Sequence, residues 1–251
     1  MSEFTFFLGT HQPNWLELCE VPMFVSRRRL FRSRARRLPW ARCRWALDSG
    51  GFSELGLFGG WRTTPQQYVR EVRRCVREIG RLAWAAIQDW MCEPFMVERT
   101  GLTVAEHQRR TVESYLTLRR LAPDLPWVPV LQGYEQEEYF RHVTDYAAAG
   151  VDLRTLPVVG LGSVCRRQHT EEVEQLARTL HAAGIRLHGF GLKIKGLERC
   201  WQYLVSADSM AWSRDARYGA SLLGCQHRNC ANCLRYALRW RAKVRRVYNT
   251  H

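Results

Sequence analysis

Short apolar runs of strand length alternate with longer amphipathic segments along most of the chain. The apolar runs predict seven strands, over residues 4–8, 45–47, 82–88, 126–131, 156–159 and 185–188 and in a short segment that leads to Asp208. Between them, apolar positions recur with the helical period. This pattern predicts helices between residues 64 and 80 and over 103–121, 135–149, 170–183 and 231–248, with a short one around Leu197.

This alternation, with one strand and helix about every 30 to 45 residues, is typical of α/β proteins with a parallel sheet. Seven such units in 251 residues favour a TIM-type (β/α)8 barrel with one strand unrecognised. A doubly wound open sheet is the alternative, although no Gly-rich phosphate fingerprint follows the first strand. We expect a single catalytic domain over residues 1–251, with the barrel at 1–220 and a small C-terminal part at 221–251.

Polar residues, and in one case a Gly-Leu pair, follow several of the predicted strands. They are Asp48, Asp89, Gln132, the Gly160–Leu161 pair and Asp208. Each Asp taken alone is explained equally well as the N-cap of the next helix. In a barrel, however, the carboxyl ends of the strands meet at one face, where active sites lie. The missing Cβ of Gly51 lets a flat ligand approach the backbone there, and Phe52 offers a ring for stacking.

The chain carries a formal net charge of +14, almost all of it from arginine. This excess predicts a polyanionic partner, nucleic acid first and a membrane surface second. Residues 27–44 interleave arginines with apolar residues, which suits a surface that follows a phosphate backbone and stacks on bases. The arginines expected to contact nucleic acid are Arg27, Arg28, Arg29, Arg32, Arg34, Arg36 and Arg37. The alternative is a solvated helix whose apolar side packs on the core.

The apolar runs are too short for a membrane span, which needs about 18 or more consecutive apolar residues. The N-terminal residues lack the basic start and apolar stretch of a signal peptide. We therefore expect a cytoplasmic protein.

Three of the nine cysteines cluster with a histidine near the C-terminus. The cluster is Cys225, His227, Cys230 and Cys233. Such short spacings suit a structural Zn²⁺ with tetrahedral geometry, whose four ligands all come from the protein. A chance cluster is the alternative. We therefore expect a zinc knuckle, followed by a basic helix, in the C-terminal part.

Six segments around the strand ends form an ordered set of motifs. They are residues 47–52 (Leu-Asp-Ser-Gly-Gly-Phe), 88–92, 130–133, 159–162, 188–191 and 206–210. In order and rough spacing they resemble the motifs of the tRNA-guanine transglycosylase (queuine tRNA-ribosyltransferase) superfamily. The resemblance covers residues 4–233. It is closest to the compact deazapurine-DNA transglycosylases (DpdA-like), because no appended RNA-binding domain is visible.

The resemblance implies base exchange through a covalent glycosyl-enzyme, with Asp208 as the nucleophile and Asp48 as the general acid/base. The residues to which it gives a base-binding role are Asp89, Gln132, Gly160, Leu161, Phe52 and Gly51. Among these, Asp89 accepts hydrogen bonds from the base, and Gln132 and the backbone N–H groups near Gly160–Leu161 donate to the carbonyl oxygen of the base. In the zinc cluster, Cys233 stands in for a distant His of the family, which leaves His251 as an alternative fourth ligand.

Three functional hypotheses follow from these observations. The first is a DNA-guanine transglycosylase that exchanges guanine for a 7-deazaguanine derivative such as preQ0. The second is the same chemistry on tRNA, and the third is a non-catalytic, zinc-containing nucleic-acid-binding protein. The presence of both Asp48 and Asp208 argues against the third. The expected partners are DNA and a small 7-deazaguanine, with a homodimer or accessory modification proteins left open.

Overall fold

The computed structural model describes residues 4–31, 37–164 and 170–249. The predicted nucleic-acid contacts Arg32, Arg34 and Arg36 and the alternative zinc ligand His251 lie outside these ranges. The strands are β1 Thr5–Thr10, β2 Met23–Ser26, β3 Trp45–Asp48, β4 Leu82–Ala86, β5 Trp127–Val128, β6 Val130–Leu131, β7 Val159–Leu161, β8 Leu187–Gly189 and β9 Leu204–Ser209. The helices are α1 Trp15–Leu18, α2 Arg27–Leu30, α3 Gly51–Phe58, α4 Pro65–Glu78, α5 Pro94–Thr100, α6 Val104–Leu121, α7 Gln136–Ala148, α8 Glu171–Ala182, α9 Ile194–Cys200, α10 Ala211–Tyr218 and α11 Leu234–Asn249.

The nine strands form one parallel sheet in the order β5-β4-β3-β2-β1-β9-β8-β7-β6. Its two edge strands, β5 and β6, are consecutive in the chain and are separated only by Pro129. β5 pairs with β4 and β6 pairs with β7, so residues 127–131 bridge both edges and almost close the ring. With this segment counted once, eight strand segments surround the barrel axis. The predicted (β/α)8 barrel is therefore confirmed.

The sheet differs from the prediction most clearly in three places. β2 was not predicted, because it is only four residues long and lies between Pro22 and a run of arginines. The run predicted as one strand over residues 126–131 is split at Pro129, which has no N–H for a ladder hydrogen bond. β7 begins at Val159, where the predicted strand ends, and continues through Gly160. A glycine that looked like a turn is therefore part of a strand.

The barrel has an inner and an outer apolar layer. Phe7, Trp84 and Val128 point into the barrel, where Phe24 and Phe190 pack against them. Alternate residues of the same strands point outward and pack against the helices within a much larger cluster. Because both faces of the sheet are buried, the strands appear in the sequence as continuous apolar runs.

The basic C-terminal helix belongs to the outer layer of the barrel. Trp240 of α11 packs against Phe6 of β1, with a centroid distance of 6.1 Å, and its indole N–H donates to Asp215 of α10. Arg241, one of the arginines of this basic helix, is half-buried, and burial lowers its pKa. Among the helices in the described ranges, none is both long and apolar enough to cross a membrane.

Candidate active site

A cavity of about 900 Å³ opens at the carboxyl ends of β1, β2, β3 and β9. Two predicted catalytic residues, Asp48 and Asp208, line it together with Phe52. The remaining lining combines apolar side chains with polar and charged ones, and the polar and charged residues include Thr10, His11, Ser26, Arg28, Arg29, Ser53 and Glu54. The barrel therefore brings together two carboxyl groups that lie far apart in the sequence, at the face where active sites of this fold form.

Asp208 lies on β9 with one carboxylate oxygen held by two groups. The N–H of Gly191 donates to Oδ1 at 3.0 Å, and Nε2 of His188 lies 3.4 Å from the same atom. No described residue forms a hydrogen bond with Oδ2. The side chain is 8% exposed, so its orientation is fixed while one oxygen remains available for a reaction.

His188 is a candidate site residue that the sequence analysis did not single out. Its Nδ1 lies 2.9 Å from Oγ of Ser206, so a hydroxyl that donates to Nδ1 leaves the imidazole proton on Nε2, facing Asp208. The ring is fully buried, with Trp84 and Phe190 each 4.7 Å away between centroids. The only signal in the sequence was a histidine within a short apolar strand, directly before Gly-Phe-Gly.

Asp48 is the last residue of β3 and pairs in register with Ser26, the last residue of β2. Burial raises the pKa of Asp48, hydrogen bonds from Ser26 and the N–H of Gly50 partly offset this, and the charge of Asp208 adds to the rise. Gly50 has φ +84°, and a Cβ there would lie 2.9 Å from Cγ of Arg28. The turn after β3 therefore requires glycine, and it keeps the Asp48 carboxyl at the mouth of the barrel.

Asp89 lies beside this cavity, close enough to Asp48 for the two charges to interact. Nε2 of Gln132 donates to its Oδ2 at 2.5 Å, and Oγ of Ser49 donates to its Oδ1 at 3.3 Å. Burial, with the charge of Asp48 as a smaller cause, raises the pKa of Asp89 to about 7. A carboxylate has about four acceptor positions, so Asp89 retains free ones for a ligand.

Gln132 is fixed by groups behind the site, none of which was singled out from the sequence. Oγ of Ser163 lies 2.6 Å from its Oε1, which directs the amide nitrogen toward Asp89. The backbone of Gln132 accepts a hydrogen bond from Gln108 at 2.7 Å and donates one to Nδ1 of His142 at 2.9 Å. Burial lowers the pKa of His142 to about 4. Gln108 and His142 are buried polar residues on helices, a feature that helical periodicity alone does not separate from core positions.

The resemblance gave backbone N–H groups near Gly160 and Leu161 a role as donors to the base, and the structure shows how the N–H of Gly160 is used. The N–H of Gly160 donates to the carbonyl of Pro129 at 2.8 Å within the sheet, so it is not free to bind a base. Gly160 is needed for packing instead, because a Cβ there would lie 2.4 Å from the ring of Phe190. Leu161 is buried in β7, and its carbonyl accepts from the N–H of Phe190.

Phe52 and Gly51 occupy the first turn of α3, directly after Asp48. Phe52 is 54% exposed and lines the cavity, so its ring is accessible for stacking. A Cβ on Gly51 would lie 3.1 Å from Trp61 and 3.3 Å from Oδ1 of Asp89. Glycine at this position therefore allows α3 to pack closely against Asp89.

The basic stretch does not form one uniform surface. Arg27 is buried, in contact with Glu71 and 3.4 Å from Glu54, so it is not an exposed phosphate contact. Arg28 also reaches Glu54 at 3.4 Å, whereas Arg29 is exposed and lines the cavity. Arg37 is exposed and lies 3.7 Å from Glu17.

The four residues of the predicted zinc cluster are brought together after α10. The ligand atoms of Cys225, His227, Cys230 and Cys233 all lie within 4.8 Å of one another. The Sγ atoms of Cys225 and Cys233 are 3.9 Å apart, close to the spacing of about 3.8 Å implied by a tetrahedral site with Zn–S bonds of about 2.3 Å. The donor set therefore fits one zinc ion, with Cys233 placed as the fourth ligand.

These features define a parallel α/β barrel with a carboxylate-lined cavity at the carboxyl ends of its strands and a Cys/His cluster that is suited to zinc. The chain belongs to the family described as "DpdA: DeoxyPurine in DNA protein A", which matches residues 1–250. No curated protein matches the sequence.

One solved structure that the chain matches is the crystal structure of a protein from Sinorhizobium meliloti, provisionally named an isomerase, in an open loop conformation. The TM-score is 0.43 and the sequence identity is 9%. The similarity covers 82% of this chain and 50% of that chain, so this chain spans about half the length of that protein.

Proposed function

We propose that this protein is a glycosyltransferase that exchanges guanine in DNA for a 7-deazaguanine derivative such as preQ0. The observation that carries the proposal is that Asp48 and Asp208 line one cavity, in a chain that belongs to the DpdA family. The family description, which refers to deoxypurine in DNA, favours DNA over tRNA as the polymer. Exchange on tRNA is retained as an outcome of the test.

In the first step, Oδ2 of Asp208 attacks C1′ of the deoxyribose and the bond from C1′ to the guanine nitrogen breaks. The bond electrons pass to the departing base, which takes a proton from Asp48. The raised pKa of Asp48 supports this role, because it keeps the carboxyl protonated closer to neutral pH. His188 and the N–H of Gly191, both on Oδ1, hold the attacking carboxylate in one orientation.

In the second step, the incoming 7-deazaguanine gives its ring N–H proton to Asp48, and that nitrogen attacks C1′. The ester bond to Asp208 breaks, and its electrons return to the carboxylate. Two displacements at one carbon retain the configuration of the sugar. Both residues are thereby restored to their starting protonation states.

Base recognition is assigned to Asp89 and Gln132. An ionised Asp89 accepts hydrogen bonds from N–H groups of a guanine-like base, and the second amide hydrogen of Gln132 donates to its carbonyl oxygen. The hydrogen bond of 2.5 Å from Gln132 to Asp89 supports this assignment, because the polar edge of one base can contact both side chains at once. Phe52, exposed at the cavity, is assigned the stacking role. A guanine in duplex DNA must first leave the helix, at a cost of a few kcal/mol.

The zinc ion is assigned a structural role. When bound, it ties the segment that carries Cys225 to the start of α11, near Cys233. With four protein donors, the ion has no open position for a substrate. The single-domain organisation, a cytoplasmic location, and a homodimer or accessory partners stay predictions.

The proposal is tested by incubating the protein with duplex DNA or tRNA and radiolabelled preQ0, and by measuring which polymer gains label. Label in DNA supports the proposal, and label only in tRNA replaces it with the RNA reaction. If neither polymer gains label while guanine-labelled DNA also releases no base, base exchange is wrong for this protein.

A further inference from the structure

Two basic side chains line the mouth of the cavity, and a third lies near one of them. His11 directly follows β1, Arg29 lies on α2 after β2, and Arg217 lies near the end of α10 after β9. These strands are adjacent in the sheet, in the order β9-β1-β2. His11 and Arg29 line the same cavity as Asp208. His11 and Arg29 therefore lie on the same side of the cavity as Asp208, and Arg217 is near enough to His11 for its charge to act on the imidazole.

Arg29 and Arg217 differ from the other basic residues near the site. Arg27 and Arg28 lie beside Glu54, which offsets part of their charge. Arg29 and Arg217 are exposed and take part in no ion pair with any residue that the structure describes. Burial lowers the pKa of half-buried His11, and the charges of Arg29 and Arg217 lower it further. Arg29 and Arg217 therefore carry positive charge that no described residue pairs directly, and His11, whose pKa is lowered, offers a neutral imidazole N–H beside them.

The base substrates do not account for this charge. Guanine and the 7-deazaguanines are neutral heterocycles, and Asp89 and Gln132 already provide hydrogen bonds that suit their polar edge. The charged part of a DNA substrate is its backbone, with a phosphate on each side of the sugar that carries C1′. Arginine binds phosphate oxygens with two parallel hydrogen bonds, and an exposed Arg keeps the freedom to do so.

We propose that His11, Arg29 and Arg217 form a phosphodiester-binding subsite that holds the DNA backbone beside the nucleotide presented to Asp208. The placement relative to C1′ rests on the proposed function, whereas the anion site itself does not. Of the three residues, only Arg29 belongs to the basic stretch that the sequence pointed to. The subsite fixes the sugar at the mouth of the barrel, so that its base enters the cavity.

The test measures DNA binding with chemistry switched off. In an Asp208→Asn background, a fluorescently labelled DNA duplex with a mismatched guanine is titrated over a series of salt concentrations, with Arg29→Ala or Arg217→Ala added. Each arginine that contacts a phosphate contributes about 0.9 to the slope of log K against log salt. We expect each variant to bind DNA roughly tenfold more weakly at low salt. The slope of log K against log salt should become shallower by about 0.9 in each variant.

Arg120→Ala is the matched control, because Arg120 is exposed and lies at the C-terminal end of α6, away from the carboxyl ends of the strands. It should change neither the affinity nor the slope. An equal loss with Arg120→Ala would show that only the overall positive charge attracts DNA, and would overturn the subsite. Unchanged slopes with Arg29→Ala and Arg217→Ala would overturn it as well, and so would an effect seen with tRNA but not with DNA.

This test separates the subsite from the proposed function, because no base exchange is measured. If the wild-type protein exchanges no base, the salt series still decides whether the subsite binds a phosphodiester. Circular dichroism melting of each variant verifies the fold. Arg29→Lys and Arg217→Lys, which keep the charge, should retain most of the slope and lose part of the affinity.

Discussion

Replacing Asp89 by Asn removes a buried carboxyl group with little change in size, and it should change how stability depends on pH. Burial raises the pKa of Asp89 from 3.8 to about 7. The unfolded chain releases this proton near the ordinary value, so between about pH 4 and pH 7 the native state holds a proton that the unfolded state has lost. Wild-type stability therefore falls as the pH rises through this window, and the Asn variant lacks this contribution.

The size of the effect follows from the pKa. Each pH unit of difference between the folded and unfolded pKa corresponds to 1.36 kcal/mol, so a rise from 3.8 to about 7 gives a loss on the order of 4 kcal/mol across the window. Hydrogen bonds from Gln132 and Ser49 favour the ionised form and are already part of that pKa. The quantity to measure is therefore how the difference in unfolding free energy between the variant and the wild type changes with pH, rather than its value at one pH.

Urea unfolding of the wild type and Asp89→Asn over a series of pH values measures this difference. The stability of the variant relative to the wild type should rise by on the order of 4 kcal/mol from about pH 4 to about pH 7 and then level off. Asp124→Asn, at an exposed carboxylate paired with Arg73, is the control and should not remove the fall. Parallel curves for the wild type and Asp89→Asn would refute the reasoning, and a relative stability that falls with pH would reverse its sign.

Three further predictions concern other parts of the molecule. His188→Phe should lower kcat by roughly tenfold to a hundredfold and leave the KM for the base unchanged, because Asp208 loses a hydrogen-bond donor. Steady-state kinetics measures kcat and KM, and a change in KM alone would contradict this prediction. Gly50→Ala should lose roughly 1–3 kcal/mol of unfolding free energy, more than Gly80→Ala, because both have positive φ but only Gly50 has a neighbour within 4 Å of the added Cβ. Metal analysis of the purified protein should find one zinc ion per chain. Removal of the zinc, or Cys225→Ser, should lower the melting temperature and increase hydrogen exchange near the C-terminus. Metal-free protein with native hydrogen exchange would contradict the zinc assignment.

The barrel and the carboxylates at its mouth were accessible from the sequence, because strands buried on both faces appear as apolar runs. Asp48 and Asp208 are the last or next-to-last residues of their strands. Their common cavity follows from parallel topology once the fold is recognised. The Cys/His cluster was likewise readable, because its four residues lie within nine positions of the chain.

The details that were missed depend on contacts between distant residues. Gly160 looked like the end of a strand, yet it lies within β7. Glycine is required there because the ring of Phe190 occupies the space that a side chain would need. Arg27 looked like a surface residue, and only the fold places Glu54 and Glu71 beside it. His188 became a candidate only through its distance to Asp208. Local patterns carry no information about such pairs.

We propose above that Asp208 forms the covalent bond to the sugar. The most direct measurement is the incorporation of labelled preQ0 into duplex DNA by the wild type, Asp208→Asn and the exposed-site control Asp124→Asn, with DNA binding followed in parallel. We expect incorporation by the wild type and by Asp124→Asn, and DNA binding without incorporation by Asp208→Asn. Incorporation by Asp208→Asn at the wild-type rate would contradict the proposal.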